Sequence, residues 1–419
     1  MSRRALSRPR EDAGPALSRP REDAGPPRLV YVVTHPVTAD AFLRGQLAFM
    51  REAGFYVTVI ALPGEALDRV REREGVDVVA VPMARAPDPA RDIVSLARLV
   101  PVMKRLRPDI VNAGTTKGGL LGMLAARAVR APVRIYLLRG LRLETETGNL
   151  RRVLGATERI ASSCAHDVVC NSPSLLRLAV EGGYVPREKA IVVGAGSSNG
   201  VDTARFARSE ALVREGEQRF AEIGIARDEK VVAFVGRLAK DKGIAELLDA
   251  FARVRAEIPK ARLALLGADL ADEKPDPEIA RRVSAARGVV VTKTIADLAP
   301  WYARIDVLAF PSYREGMPNV PLEAACVEVP VVGFRSTGVV DAVVHGETGT
   351  LVAQGDVDGL ARGILDYLRD PEKARAHGRA GRARAKRCFD REVVWRAWLE
   401  LYRARLERRG LPLPIASRV

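Results

Sequence analysis

The chain of 419 residues is poor in the residue types that serve metal sites, disulfides and base stacking. Its four histidines and four cysteines show no metal-ligand spacing, so the sequence predicts no protein-held metal. The cysteines are scattered without a C-x-x-C pair, which indicates buried thiols in a reducing cytosol. Aromatic residues make up only 5% of the chain, and this argues against the stacking platforms of a nucleic-acid-binding protein.

Long apolar runs are missing as well. No stretch reaches the length that spans a bilayer, and the first residues lack the apolar core of a signal peptide. We therefore expect a cytoplasmic protein that could reach a membrane only peripherally, on the inner face of the plasma membrane. Hydrophobic residues nevertheless make up 47% of the chain, enough at this length for the cores of two domains.

Acidic residues are outnumbered, and the formal net charge is +15. Much of the excess lies in the N-terminal arm and between Arg379 and Arg409. The charge could reflect nucleic-acid binding, attraction to an anionic membrane or attraction of anionic substrates. A solvated, arginine-rich surface accounts for a good part of it, so charge alone selects none of these functions.

The first residues form a direct repeat, in which Ala5–Pro15 recurs as Ala16–Pro26. Because this sequence is rich in Pro, Gly and charge, residues 1–27 are predicted to be a disordered arm. Ordered structure is expected from Arg28.

From Leu29 onward, apolar strand patterns alternate with amphipathic helix patterns in two blocks joined by the linker GSSNGVD. This alternation predicts an α/β fold with two Rossmann-like, doubly wound parallel-sheet domains that face a cleft. The expected domains are 28–203 and 204–387, and 388–419 is expected to hold a helix that crosses back to the first domain, plus a tail. Strands are predicted at 29–35, 56–62, 76–81, 109–112, 133–138, 167–170, 231–235, 262–266, 288–292, 306–310 and 330–333. Helices are predicted at 41–53, 91–106, 117–129, 149–164, 172–181, 244–257, 276–286, 297–303, 319–327, 357–368 and 392–408.

The most informative segment runs from Phe310 to Pro330. A buried strand is followed by a turn with Glu315 and then by a helix that carries Glu323. The helix N-terminus offers free N–H groups that suit a phosphate or a polyol, and a carboxylate accepts hydrogen bonds from vicinal hydroxyls. In the second block, the first strand is followed by Arg237 and Lys242, and these cations suit phosphate oxygens.

Together these motifs resemble the E-x7-E signature of retaining GT-B-fold glycosyltransferases, the large group 1 or family 4 type, over nearly the whole chain. The resemblance implies that Arg237 and Lys242 contact the diphosphate of a nucleotide-sugar donor, which we expect to be UDP-linked. It implies that Glu315 holds the donor sugar and Glu323 the ribose. The rest of the donor-binding segment is Gly316, Met317, Asn319 and Val320. The resemblance further implies a metal-independent hexosyltransferase that needs no cofactor.

Four further places in this chain carry expectations of their own. Arg139 stands where the family usually has a histidine, and it could reach the diphosphate, an anionic sugar or an anionic acceptor, or be purely structural. Thr115 and Lys117 open a helix whose N–H groups could hold an anion. Glu328 replaces a usual glycine, so its backbone is expected to avoid positive φ. The pair Asp356 and Asp358 mimics a D-x-D metal site, but we interpret it as a helix cap.

The acceptor is expected to be a polyprenyl-diphosphate-linked glycan at an anionic membrane surface. The segments RGLRLETETG and GSSNGVD resemble those of bacterial enzymes that assemble capsule, exopolysaccharide or glycan repeats. The candidate membrane contact is the helix between Arg91 and Arg107, whose apolar residues could instead pack on the sheet. Its apolar residues are Ile93, Val94, Leu96, Leu99, Val102, Met103 and Leu106, and its basic residues are Arg98, Lys104, Arg105 and Arg107.

Two other functions stay open at this point. A nucleotide-sugar 2-epimerase shares the two-domain architecture, but it needs several carboxylates and histidines at the cleft, and the chain has four histidines. A nucleic-acid-binding protein is suggested only by charge and lacks a recognised motif, so no specific nucleic-acid partner is expected.

Overall fold

The computed structural model describes residues 25–83, 88–267 and 276–415. Within these ranges the named strands form two entirely parallel sheets, which confirms the expected α/β class with two Rossmann-like domains. The first sheet contains β1 (Arg28–Val32), β2 (Tyr56–Ala61), β3 (Asp77–Ala80), β4 (Ile110–Gly114), β5 (Val133–Leu138), β6 (Asp167–Cys170) and β7 (Ala190–Ile191). The second contains β8 (Lys230–Val235), β9 (Ala261–Leu266), β10 (Val289–Val291), β11 (Val307–Phe310), β12 (Val331–Phe334) and β13 (Gly349–Val352).

Each sheet reverses its strand order next to its first strand. The first has the order β3-β2-β1-β4-β5-β6-β7 and the second β10-β9-β8-β11-β12-β13. The chain therefore leaves β1 and β4, and likewise β8 and β11, in opposite directions, which opens a crevice at the carboxyl ends of these strands. These two crevices are where the fold can bind a ligand.

Helices cover both faces of both sheets, as near-continuous apolar strands require. Those of the first domain are α1 (Pro36–Phe42), α2 (Gln46–Glu52), α3 (Glu65–Glu74), α4 (Pro89–Leu106), α5 (Thr116–Ala128), α6 (Gly148–Cys164) and α7 (Pro173–Glu181). The later helices are α8 (Glu210–Glu222), α9 (Ile244–Glu257), α10 (Pro277–Ala285), α11 (Ala299–Arg304), α12 (Asn319–Cys326), α13 (Val339–Ala342), α14 (Val357–Arg369), α15 (Pro371–Cys388) and α16 (Arg391–Glu407). The sheet strands supply most of the buried core, and β4 is buried along its whole length.

The single helix predicted at 41–53 is wrong, because the chain breaks between α1 and α2. Gly45 takes a left-handed conformation with φ 76° at the start of α2. A Cβ on Gly45 would lie 2.5 Å from a ring carbon of Trp395 in α16. Glycine is needed here both for the left-handed turn and for the close contact with Trp395. The apolar pattern of residues 41–53 therefore continues across a boundary between two helices.

Helices α3, α8 and α15 also lie outside the predicted series. The reason is clearest in α15, which is rich in arginine and glycine and buries only Gly378, Gly381 and Ala385. A Cβ on Gly378 would lie 1.9 Å from the carbonyl oxygen of Glu328. This helix therefore packs by close backbone approach, which leaves no apolar stripe for a periodicity argument to detect.

The expectation that Glu328 avoids positive φ is wrong, since its φ is 64°. Glu328 follows the end of α12, where its N–H donates to the Ala325 carbonyl and the Val329 N–H donates to the Ala324 carbonyl. This pair of hydrogen bonds is the Schellman arrangement, which needs a left-handed residue at this position. The Glu328 carboxylate accepts from Arg382 at 2.9 Å, so the side chain is held although glycine would fit the backbone better.

The final helix returns to the first domain, as expected. Trp398 and Tyr402 of α16 are buried in the core of the first sheet. The Tyr402 hydroxyl lies 2.6 Å from the amide nitrogen of Asn112 in β4, and Arg405 forms a two-bond ion pair with Asp167. The buried aromatic rings and these polar contacts, which span 238 and 290 residues of chain, fix this helix to the first domain.

The chain crosses between the domains at two neighbouring points. Val201 and Asp390 form an isolated parallel bridge, with hydrogen bonds of 2.8 Å from the Val201 N–H and 3.0 Å to the Val201 carbonyl. The domain boundaries at 203 and 387 stay a prediction. The expected arm lies almost wholly outside the described residues. No helix in the part of the chain that the structure describes is long and apolar enough to cross a membrane.

Candidate active site

The loops that follow the strands at the two crevices meet each other across the domain interface. In the second domain they are the loops after β8, β11 and β12, and in the first domain the loop after β5 and the start of α7, which follows β6. The expected residues Arg139, Arg237 and Glu315 fall in these loops. Their convergence makes the interdomain cleft the candidate active site.

Glu315 and Lys242 lie in contact where the loops after β8 and β11 meet. The Lys242 ammonium is 2.5 Å from Glu315 Oε1, although the two residues are 73 positions apart. The Ser312 hydroxyl also donates to that oxygen at 2.8 Å, and the Glu315 N–H donates to the Thr337 carbonyl at 3.0 Å. Both charged side chains are 18% exposed, so they are held in place yet reachable from the cleft.

The neighbouring lysine has a different role. Lys240 is 78% exposed and pairs with Asp276 at 2.9 Å, outside the contact with Glu315. Gly243, which follows Lys242, has φ 68°, and a Cβ there would lie 2.1 Å from the Pro311 carbonyl oxygen. Because Gly243 has no side chain, the loop that carries Lys242 can pack closely against the loop that carries Glu315. This packing places Lys242 next to Glu315.

Arg237 lines the open part of the cleft, a volume of about 570 Å³. The cleft is bounded by both domains and is rich in cations. Its lining residues are Arg142, Thr145, Glu146, Arg237, Lys240, Asp241, Tyr313 and Arg314. The charge and the size of this space suit a polyphosphate ligand.

Glu323 points from α12 toward α11. The Tyr302 hydroxyl is 3.0 Å from Glu323 Oε2 and is the one hydrogen-bond donor to this carboxylate within the described residues. Burial raises the pKa of Glu323, and the Tyr302 hydrogen bond opposes that shift. The inward carboxylate thus has a protein partner, and its other oxygen is left to accept from a ligand.

The segment between the two carboxylates forms the turn into α12. Gly316 and the Met317 side chain are buried, and Met317 packs with the hydrophobic core of the second domain. Asn319 and Val320 start the helix and are half-buried, and no side chain caps its N-terminus. Met317 can therefore reach a ligand only through its backbone, whereas the first N–H groups of α12 stay available.

In the first domain, Thr115 and Lys117 are committed to structural contacts. The Thr115 hydroxyl accepts from the Gly118 N–H at 3.2 Å and contacts the Thr34 hydroxyl at 2.9 Å. Lys117 forms an ion pair with Asp92 of α4 at 2.7 Å. Thr115 has φ 69°, an unfavourable conformation for a β-branched residue, which costs on the order of 1–3 kcal/mol. The two residues brace the start of α5, and a role of Lys117 toward an anion stays a prediction.

Arg139 lies at a tight backbone contact between the two domains. The three nearest atoms to a Cβ built on Gly316 belong to Arg139 and Gly140, and the Arg139 carbonyl oxygen would be only 1.7 Å away. The guanidinium points back into the first domain, 5.2 Å from the ring centroid of Phe42. Arg139 is thus next to Glu315 in space through its backbone, and beside β1 and β4 through its side chain.

The sequence analysis missed the polar contacts that join the domains. Arg314 donates to the Thr145 hydroxyl at 2.9 Å and pairs with Asp241 at 2.8 Å. The Thr337 hydroxyl donates to Glu144 at 2.7 Å. A further set joins Ser174 to Gly338 and Asp341. The contacts between the domains join residues more than 160 positions apart. The one sequence signal that could have predicted them is that these residues follow strand ends.

Two other expectations can be compared with the structure. Asp356 caps α14 by accepting from the Gly359 N–H at 2.8 Å, which confirms the helix-cap interpretation for this residue, whereas Asp358 lies in the first turn of α14 and pairs with Arg253. In α4, Leu99 and Met103 are fully buried, so they are no part of a membrane surface. Ile93 and Val94 do face solvent, at 70% and 49% exposure.

Comparison with known proteins assigns the family. The description "Glycosyl transferases group 1" matches residues 229–370, and "Glycosyl transferase 4-like domain" matches residues 39–196. The capsular polysaccharide biosynthesis glycosyltransferase CapM of Staphylococcus aureus is 32% identical over 373 residues, covering 88% of this chain and 96% of CapM. The chain belongs to the group 1 glycosyltransferases.

Another enzyme is similar to this chain in sequence, and two solved structures are similar to it in fold. A GDP-mannose-dependent α-(1-6)-phosphatidylinositol monomannoside mannosyltransferase of Mycolicibacterium smegmatis is 31% identical over 56% of this chain and 67% of that enzyme. The structure of Anabaena Alr3699/HepE in complex with UDP-glucose has a TM-score of 0.75 at 20% identity, covering 90% of this chain and 99% of HepE. WaaG, a glycosyltransferase involved in lipopolysaccharide biosynthesis, has a TM-score of 0.64 at 17% identity, over 88% of this chain and 98% of WaaG. These structures show that this glycosyltransferase has the GT-B fold.

We predict that Gly316→Ala prevents the two domains of this glycosyltransferase from meeting, because the new methyl group would overlap the Arg139 carbonyl. The radius of gyration from small-angle scattering should rise and glycosyl transfer should fall at least tenfold, while the melting temperature changes little. Gly346→Ala is the matched control, since Gly346 has φ 80° but no neighbour within 4 Å of a built Cβ. An unchanged radius and full activity in Gly316→Ala would contradict this account of the interface.

Proposed function

We propose that the protein is a retaining glycosyltransferase that moves a sugar from a nucleoside-diphosphate donor, with UDP as the nucleotide, to an acceptor hydroxyl. The observation that carries this proposal is the contact between Lys242 and Glu315 at 2.5 Å in a cation-lined cleft between two domains. Anabaena HepE, which has the same fold, is described in complex with UDP and UDP-glucose, and this supports the choice of nucleotide.

The proposed roles follow from the positions of the charges. An ammonium group has three donors, so Lys242 can bind Glu315 and still donate to a diphosphate oxygen. Arg237 faces the same cleft, and together the two cations would stabilise the charge that develops on the departing diphosphate. Glu315 would accept hydrogen bonds from the donor sugar, and Glu323 from the ribose hydroxyls.

In the proposed reaction, the bond between the anomeric carbon and the diphosphate oxygen breaks, and the acceptor oxygen attacks from the same face. The leaving phosphate oxygen takes the acceptor proton, so no protein nucleophile is required. The hydrogen bonds from Arg314 to Thr145 and from Thr337 to Glu144 join the domains beside the site. They support a mechanism in which domain contact excludes water from the reacting centre.

A polyprenyl-diphosphate-linked glycan of bacterial polysaccharide assembly is the acceptor that we propose. CapM is named for capsular polysaccharide biosynthesis, and it is similar to this chain over nearly its full length. The first domain carries a surface that suits a peripheral position on an anionic membrane, with four cations around the end of α4. These are Arg28, Lys104, Arg105 and Arg107, grouped about Pro101.

The donor site is tested by separating nucleotide affinity from turnover. Glu323→Ala should weaken UDP binding about 10- to 100-fold, because a charged hydrogen-bond acceptor contributes roughly 1.5–3 kcal/mol. Glu315→Ala should instead lower turnover far more than UDP affinity. Isothermal calorimetry with UDP gives the first quantity and transfer from a UDP-sugar gives the second. Tyr302→Phe is the matched control for Glu323, since it removes the 3.0 Å hydrogen bond and keeps the carboxylate. Unchanged UDP affinity in Glu323→Ala would refute the ribose role.

Metal independence has its own test. Because Arg237 and Lys242 are proposed to balance the diphosphate charge, transfer should proceed at its full rate in excess EDTA. Loss of activity on chelation, restored by manganese or magnesium, would show that the cations of the cleft do not suffice.

Membrane contact is tested by flotation with lipid vesicles. The protein should float with vesicles that contain anionic lipid at low salt and much less at high salt, because each surface cation contributes about 1 kcal/mol. Replacing Lys104 and Arg105 by glutamate should abolish flotation, whereas the same change at Arg214 and Arg219 of α8 serves as the control. Equal recovery with neutral and anionic vesicles would contradict the electrostatic contact.

A further inference from the structure

Arg139 has no hydrogen-bond acceptor for two of its nitrogens in the part of the chain that the structure describes. Its Nε and Nη1 atoms are both enclosed and have no hydrogen-bond partner within the described residues. No carboxylate of the described residues pairs with it, and burial lowers the pKa of its guanidinium to about 10. The group therefore stays positively charged at neutral pH while it lacks the hydrogen bonds that a buried cation normally makes.

A second arginine, Arg134, has the acceptors that Arg139 lacks. Arg134 lies on the same strand, β5, and donates to the Cys164 carbonyl at 2.7 Å and to the Ala131 carbonyl at 3.0 Å. Arg139 follows the end of that strand, and its guanidinium lies 5.2 Å from the centroid of the Phe42 ring. A cation–π contact of this kind uses the face of the planar guanidinium. The N–H groups, which lie in the guanidinium plane, can still donate to an acceptor.

The surroundings of Arg139 indicate which kind of ligand could supply the missing hydrogen-bond acceptor. The residue keeps partial exposure, and its backbone touches the loop of Glu315 and Gly316. Phe42 is 43% exposed, so an apolar face lies open beside the cation. A sugar that carries an anionic group combines an apolar ring face with charged oxygens, and it matches both features.

We propose that Arg139 is an anion-binding residue on the first-domain side of the cleft, and that the enzyme takes a substrate with a negatively charged group at this position. This inference rests on the proposed function. Two sources share the required chemistry, the carboxylate of a hexuronate donor and the diphosphate next to the first sugar of a lipid-linked acceptor. The acceptor source is favoured, because the guanidinium points into the first domain beside β1 and β4, away from the loop of Glu315 that the Arg139 backbone touches.

The test compares ligands on the wild-type enzyme and on Arg139→Gln. The probes are UDP, UDP-glucose, UDP-glucuronate and farnesyl diphosphate, each titrated by calorimetry. For a hexuronate donor, the wild type should bind UDP-glucuronate at least tenfold more tightly than UDP-glucose, and Arg139→Gln should lose that preference while UDP affinity is unchanged. For an acceptor diphosphate, Arg139→Gln should lose at least tenfold in affinity for farnesyl diphosphate and treat both UDP-sugars as the wild type does.

Two further variants separate binding from folding. Arg139→Lys should recover part of the lost affinity, because it keeps the charge. Without ligand, Arg139→Gln should melt no lower than the wild type, since it removes an uncompensated buried charge, whereas Arg134→Gln should melt lower and keep the wild-type ligand preference. Unchanged affinity for both UDP-glucuronate and farnesyl diphosphate in Arg139→Gln would overturn the proposal. Failure of the wild type to bind UDP would instead count against the proposed function.

Discussion

A tight backbone contact joins the two domains, and the arrangement of the cleft depends on it. Gly316 lies against the carbonyl of Arg139, at a distance that leaves no room for a side chain. This contact joins the turn that carries Glu315 to the end of strand β5. It also determines which first-domain residues face the loop of Glu315 and Gly316. The hydrogen bonds from Arg314 to Thr145 and from Thr337 to Glu144 lie around this point and hold the same alignment.

The charges of the cleft fall into paired and unpaired groups, and the difference indicates their functions. Lys242 is paired with Glu315, and Arg314 with Asp241, so these cations have defined positions. Ion pairs of this kind orient a site more than they stabilise the fold. Arg139 is different, because two of its buried nitrogens have no acceptor, and its charge no acidic partner, among residues 25–83, 88–267 and 276–415. A fold tolerates such a group where a ligand supplies the missing acceptor.

The sequence was sufficient for the fold class and for the donor-side motifs, because both are local. Strand–helix alternation predicted the parallel sheets, and the K-G and E-x7-E spacings predicted that Lys242, Glu315 and Glu323 lie on the loops and helix that the structure gives them. Local patterns failed where a distant backbone decides the conformation. Gly45 interrupts an apparently continuous helix because Trp395 packs on it, and Glu328 adopts φ 64° because its helix ends in a Schellman turn. The contact of Arg314 with Thr145 spans 169 residues and has no signature in either segment.

The central claim is that the cations of the cleft recognise the diphosphate of the donor. It is tested most directly by measuring the affinities of UDP and uridine for the wild type and for Lys242→Ala by calorimetry. The account predicts that the wild type prefers UDP strongly, and that Lys242→Ala lowers the ratio of the two affinities at least tenfold while uridine affinity stays the same, because a charged hydrogen bond is worth roughly 1.5–3 kcal/mol. The same ratio in both proteins would contradict the claim and would leave Lys242 as no more than the structural partner of Glu315.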